Sequence, residues 1–141
     1  MTAKLIRAEI SDQPLDVNAL AAEAAHEAAG AVVTFAGVVR NHDLGQAVDS
    51  IEYSSHPQAP AIIAEIAAEF TGREGVRAIS LVHRVGHLAI GDLAMVAVVA
   101  AEHRGQAFSA TSDLVDDVKK RLPVWKHQHF SDGHSEWTGL P

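Results

Sequence analysis

Lys119, Lys126 and the pair His103-Arg104 are the residues whose types and spacing best suit chemistry. A lysine amine that sheds its proton is a base or a nucleophile, and a guanidinium beside the free N–H groups of a helix start favours an anion. At about 100° per residue, Phe108, Thr111, Leu114, Val115, Val118 and Leu122 form one apolar helical stripe. Lys119 falls on its border, where half burial against apolar stems lowers an amine's pKa; a snorkelling surface lysine is the alternative at this point. Lys120 and Arg121 differ, because Asp116 and Asp117 stand four residues before them and a solvated, internally paired face accounts for both. Pro123 ends the helix, and in a following strand Trp125 and Lys126 project to opposite faces. The spacing therefore permits the ammonium groups of Lys119 and Lys126 to converge on one pocket. Arg40, just past an apolar strand, is by local reading a strand-end charge.

This basic cluster stands against an acidic background. The 141 residues carry 11 Lys and Arg against 18 Asp and Glu, a net charge of −7. Such a balance argues against binding nucleic acid through general positive charge. Arg104, Lys119, Lys120, Arg121 and Lys126 are the local exception. With no cysteine there is no disulfide framework, thiolate metal site or cysteine nucleophile, so any sulfur chemistry must use sulfur brought from elsewhere. Met1 to Ile10 lacks the apolar run of a signal peptide, and the nine-residue run Leu93 to Ala101 suits a buried strand rather than a membrane span; a cytoplasmic protein without a membrane partner is expected. Gly-rich phosphate loops and a Gly-x-Ser-x-Gly elbow are absent. Nine histidines invite a metal, but His83 and His87 flank Gly86 in a strand pattern rather than on one helix face. His127 and His129 share a strand face near His134, which suits at most a labile surface site, so no metal is assigned.

The elements that must position these groups follow from periodicity. Strands are expected at Lys4–Ile10, Ala31–Val39, Val48–Ser54, Val76–Val85, Leu93–Ala101, Val124–Phe130 and Ser135–Thr138. Helices are expected at Leu15–Ala29, stopped by Gly30, at Ala61–Phe70, and from Arg104 or Gly105 to Leu122. Ala31–Val39 is apolar on both faces and reads as a central strand. Strands that follow one another without a helix between them imply a largely antiparallel sheet, in one α+β domain spanning residues 1–141.

The blocks Gly30 to His42 (GAVVTFAGVVRNH), Val82 to Gly86 (VHRVG), Gly91-Asp92, Ala101 to Arg104 (AEHR) and Lys119 to Lys126 (KKRLPVWK) occur in an order that resembles the large, catalytic subunit of molybdopterin synthase. The resemblance covers about Gly30 to Trp137. It implies an α/β hammerhead-type domain with three main helices that forms a homodimer. A small ubiquitin-like sulfur-carrier subunit would attach at each end, giving a heterotetramer. It further implies sulfur transfer from the carrier's C-terminal thiocarboxylate to cyclic pyranopterin monophosphate, which becomes the dithiolene of molybdopterin, with no bound cofactor. By resemblance, Lys119 and Lys126 are the catalytic lysines, Arg40, His103 and Arg104 bind the pterin phosphate, and Val38, Val39, His127 and Gln128 flank the pocket. His103 and Arg104 would come from the other protomer. Where the family commonly carries a basic residue and a glutamate after the second lysine, this chain has His127 and Gln128. That departure leaves a second reading open: a non-catalytic relative of the same fold that binds the carrier or an anionic pterin.

Overall fold

A computed structural model describes residues 3–139. Its elements run β1 (Lys4–Ser11), α1 (Val17–Glu23), β2 (Ala31–Val38), β3 (His42–Asp43), β4 (Gln46–Ser55), α2 (Ala59–Phe70), β5 (Val76–Arg84), β6 (Gly86–Ala89), β7 (Leu93–Ala101), α3 (Arg104–Arg121), β8 (Val124–Phe130) and β9 (Ser135–Thr138). This is the expected α+β architecture with three helices, but the strands divide into two sheets rather than one. The first is ordered β1-β5-β7-β2; the second is ordered β3-β4-β8-β9, with β6 also on β4. Only β1 against β5 is parallel among the described pairs.

Burial follows from the layers. On one face of the first sheet, Ile63, Ile66 and Phe70 of α2 and Leu114, Val115 and Val118 of α3 pack against Ile79, Leu81, Ala97 and Val99. On the other face, Leu20 and Ala24 meet Ala78, Val82, Val96, Val98 and Ala100. The strands β5 and β7 are thus covered on both faces, which is why they read as near-continuous apolar runs. Val39, Val48, Ile51, Leu88, Ala94 and Phe130 form a third cluster that joins the second sheet to the first.

Three expectations are corrected. β2 is not central: it lies at the end of its sheet order, pairs with β7, and alternates between half-buried and exposed residues. β-branched composition alone did not reveal which of its faces would be covered. α1 stops at Glu23 instead of continuing to Ala29: Leu20 and Ala24 are its buried anchors and beyond them only Ala29 packs on this cluster, so alanine propensity without a continuous packed face does not extend the helix. Gly30 serves another purpose, since a Cβ there would stand 2.5 Å from the carbonyl oxygen of Glu102, beside the strand pair it opens. Phe108 is 62% exposed rather than part of the core stripe, and Ala107 and Ala110 take the buried positions. No helix is long and apolar enough to cross a membrane among the described residues.

Candidate active site

α3 and β8 meet at Leu122 and Pro123, and this junction determines where both lysines go. Lys119 sits in the last turn of α3, one residue after the buried Val118. The backbone then turns directly into β8, whose two-residue period sends Lys126 and Gln128 to one face and His127 to the other. β8 pairs antiparallel with β4, with Tyr53 opposite Lys126 and Ile51 opposite Gln128. The face shared by these four residues fronts a cavity of about 480 Å³ at the seam of the two sheets. The edge strand β2 and the segment after it supply Phe35, Gly37, Val38, Val39, Arg40 and His42, β5 supplies His83, β7 supplies Met95, and α3 supplies Val118 and Lys119.

Lys119 and Lys126 therefore converge as their spacing permits, and Arg40, Val38, Val39 and Gln128 join them. Val39 is fixed in both directions: its N–H donates to the carbonyl of Asp92 at 2.9 Å and its carbonyl accepts from Gly91 at 2.8 Å. Those two bonds set the chain direction from which Arg40 leaves. Arg40 pairs with Asp43 at 3.2 Å.

The two lysines differ in an unexpected way. Lys119 is exposed rather than half-buried, whereas Lys126 is the half-buried one. Burial pushes the Lys126 amine below its ordinary value; Asp43 opposes that shift, and Lys119 and Arg40 add to it. The helix wheel could not show this, because Lys126 lies beyond the helix on β8, where its surroundings depend on how the strands and helices meet around the cavity.

The remaining expected residues lie elsewhere. His127 is absent from the cavity lining; its ring stacks on Trp137, with centroids 4.1 Å apart and planes 7° apart, and lies 4.4 Å from the ring of His129. His103 and Arg104 are exposed at the far end of α3. Fifteen residues separate Arg104 from Lys119, about 22 Å along the helix axis, so one chain does not bring them to the same cavity. His103 is tied locally, its N–H donating to Gln106 Oε1 at 3.1 Å.

Tyr53 and His83 were not foreseen as site residues. Their rings meet edge to face with centroids 5.1 Å apart, and burial raises the Tyr53 hydroxyl pKa while lowering that of His83. The alternation of β4 against β8 was the available signal for Tyr53. In the sequence His83 stands in the VHRVG block and among possible metal ligands, but no group of three or more metal-ligating side chains suited to an ion occurs among the described residues.

The likeness to known proteins agrees with this arrangement. A family model described as MoaE protein matches residues 10–121. The molybdopterin synthase catalytic subunit of a Nostoc species is 34% identical over 133 residues, covering 93% of this chain and 81% of the relative. Catalytic subunit 1 of Mycobacterium tuberculosis is 36% identical over 135 residues, covering 92% and 88%. Among solved structures, molybdopterin synthase from Staphylococcus aureus superposes with a TM-score of 0.85 at 32% identity, covering 93% of this chain and 96% of that one. A Helicobacter pylori complex of subunits 1 and 2 of molybdopterin-converting factor shares the fold, with a TM-score of 0.74 at 20% identity over 95% and 89% of the two chains. With a family match over most of its length and relatives above 30% identity along nearly all of it, this chain belongs to the MoaE protein family.

Proposed function

We propose that this chain is the catalytic subunit of a molybdopterin synthase, a sulfurtransferase that moves sulfur from the thiocarboxylated C-terminus of a small carrier subunit to cyclic pyranopterin monophosphate. The observation that carries this reading is the convergence of Lys119, Lys126 and Arg40 on one cavity. An anionic phosphate and an anionic thiocarboxylate both need cationic partners there, and Arg40 offers the planar, multi-donor group suited to a phosphate. Lys126, with its amine pKa depressed, is the better placed of the two lysines to exchange a proton as the thiocarboxylate sulfur bonds to the pterin carbon and the carrier's acyl group is later released. Exposed Lys119 suits contact with the incoming carrier terminus. The lack of cysteine is consistent with sulfur that arrives on a partner.

The working unit in this reading is one large-subunit domain paired with a second copy in the cytoplasm, with a carrier at each end of the pair. The exposed His103 and Arg104, too far from their own cavity, would then complete the phosphate site of the neighbouring copy. The Helicobacter pylori complex, of the same fold, supports a two-subunit enzyme.

The test mixes the protein with thiocarboxylated carrier and cyclic pyranopterin monophosphate and follows product by mass spectrometry. Dithiolene should form with the wild type and not with a folded Lys119→Ala variant. Tight carrier binding with no dithiolene would instead identify a non-catalytic binding protein.

A further inference from the structure

His83 occupies a place in the cavity wall that the two lysines do not explain. It lies near the end of β5, opposite Ile10 of β1 and Met95 of β7, and is only 9% exposed. Its Nδ1 is 2.8 Å from the carbonyl oxygen of Arg84. A carbonyl can only accept, so Nδ1 carries the proton and donates it. The neutral ring then has its lone pair on Nε2, and that nitrogen has no hydrogen-bond partner among the described residues. Tyr53 holds the ring edge to face at 5.1 Å. A backbone anchor, an aromatic wall and a cavity front leave the imidazole one accessible function, that of a fixed hydrogen-bond acceptor.

The cavity is otherwise lined mainly by donors, with the buried, unpaired Gln128 Oε1 as a second neutral acceptor on the β8 wall. Lys119 faces it from α3, Lys126 and Gln128 from β8, Tyr53 from β4, and Arg40 and His42 from the segment after β2, with Asp43 paired to Arg40. An ammonium group on a flexible four-carbon stem needs an acceptor to fix its direction. Resting on the sulfur-transfer reading of this cavity, we propose that His83 is a positioning residue for Lys119: as a neutral imidazole it presents Nε2 to the lysine ammonium and holds it toward the reacting carbonyl. The electrostatics agree in sign, since burial holds His83 below its ordinary pKa and the Lys119 charge lowers it further. At neutral pH the ring is an acceptor. Once protonated in acid it becomes a donor and a cation beside two lysines, and the hold on Lys119 is lost.

Two measurements test this. In sulfur-transfer kinetics, His83→Phe keeps an aromatic wall without an acceptor and should lower kcat by roughly 10- to 100-fold with little change in KM. His83→Gln, which restores a non-titrating acceptor, should recover most of that loss and remove the acid limb of the kcat profile that His83 protonation is expected to produce below the ordinary imidazole range. A folded His83→Phe with wild-type kcat, or an acid limb unchanged in His83→Gln, overturns the proposal. The second measurement needs no turnover: imidazole ¹⁵N NMR of the intact protein should show His83 as the Nδ1–H tautomer, with a titration midpoint that rises in Lys119→Met. An unmoved midpoint overturns the pairing even if the His83 variants do not fold. If the wild type forms no dithiolene, the sulfur-transfer reading fails separately, and the NMR result still decides whether His83 and Lys119 are coupled.

Discussion

Arg40 Nη2 lies 3.2 Å from Asp43 Oδ1, so a cation at the cavity mouth already has an anion from its own loop. The Arg40 side chain is 68% exposed, and an ion pair so placed is worth at most about 1 kcal/mol. An incoming phosphate therefore competes with Asp43 for the guanidinium at small cost. Asp43→Asn should lower KM for the anionic pterin by about two- to fivefold, as read from initial rates at fixed carrier concentration.

The same carboxylate acts on Lys126 in the opposite sense. Asp43 raises the Lys126 pKa while burial, Lys119 and Arg40 lower it, with burial the largest influence. A general base works through its neutral form, so the alkaline-rising limb of kcat should have its midpoint below the ordinary lysine value. Asp43→Asn should move that midpoint down, and Arg40→Met should move it up. Lys126→Arg, which keeps the charge but cannot lose its proton near neutrality, should cost about 10²- to 10⁴-fold in kcat. These shifts are read from pH–rate profiles of each folded variant.

Distance along α3 gives a test of the paired unit. If His103 and Arg104 serve the neighbouring copy, Lys119→Ala and Arg104→Ala proteins should each be inactive alone. Mixed, unfolded and refolded together, they should regain up to about a quarter of wild-type activity, because each mixed dimer holds one cavity with both residues intact. Rates that stay at the level of the single variants would show that Arg104 acts within its own chain or not at all.

Stability should follow burial rather than helix-wheel position. Leu114 is fully buried between α2 and the first sheet, so Leu114→Ala should destabilise by about 2–5 kcal/mol in urea unfolding. Phe108, on the same helix but exposed, should change unfolding by less than about 0.5 kcal/mol when replaced by alanine.

Local periodicity made most elements legible. α2, α3, β5, β7 and the β8–β9 hairpin lie within a few residues of their expected bounds, because each has an apolar pattern or a turn that fixes its ends. α1 was overextended because alanine spacing describes a helix but not what covers it. The two-residue β3 and four-residue β6 are too short for any pattern to reveal; they exist because β4 offers them a partner. In the site, Lys119 and Lys126 are legible from charge against an acidic background and from the resemblance, and Arg40 from the resemblance alone. His127 was misplaced although β8 alternation already assigned it to the face opposite Lys126. Tyr53 and His83 were hidden because they reach the cavity through register between strands distant in sequence, which no local window contains.

The junction at Leu122 and Pro123 imposes a constraint on length. α3 behaves as a ruler, with Arg104 at one end and Lys119 near the other, and β8 is joined to it almost without slack. One residue inserted between Arg104 and Lys119 would shift the two by about 1.5 Å and about 100° relative to each other, so that either Lys119 leaves the cavity or Arg104 loses its bearing. The turn at Leu44–Gly45 or the Asp132–Gly133 tip has no such phase to preserve. Tolerance to insertion should therefore map as sharply across this chain as tolerance to substitution, and its least forgiving stretch is a helix rather than a loop.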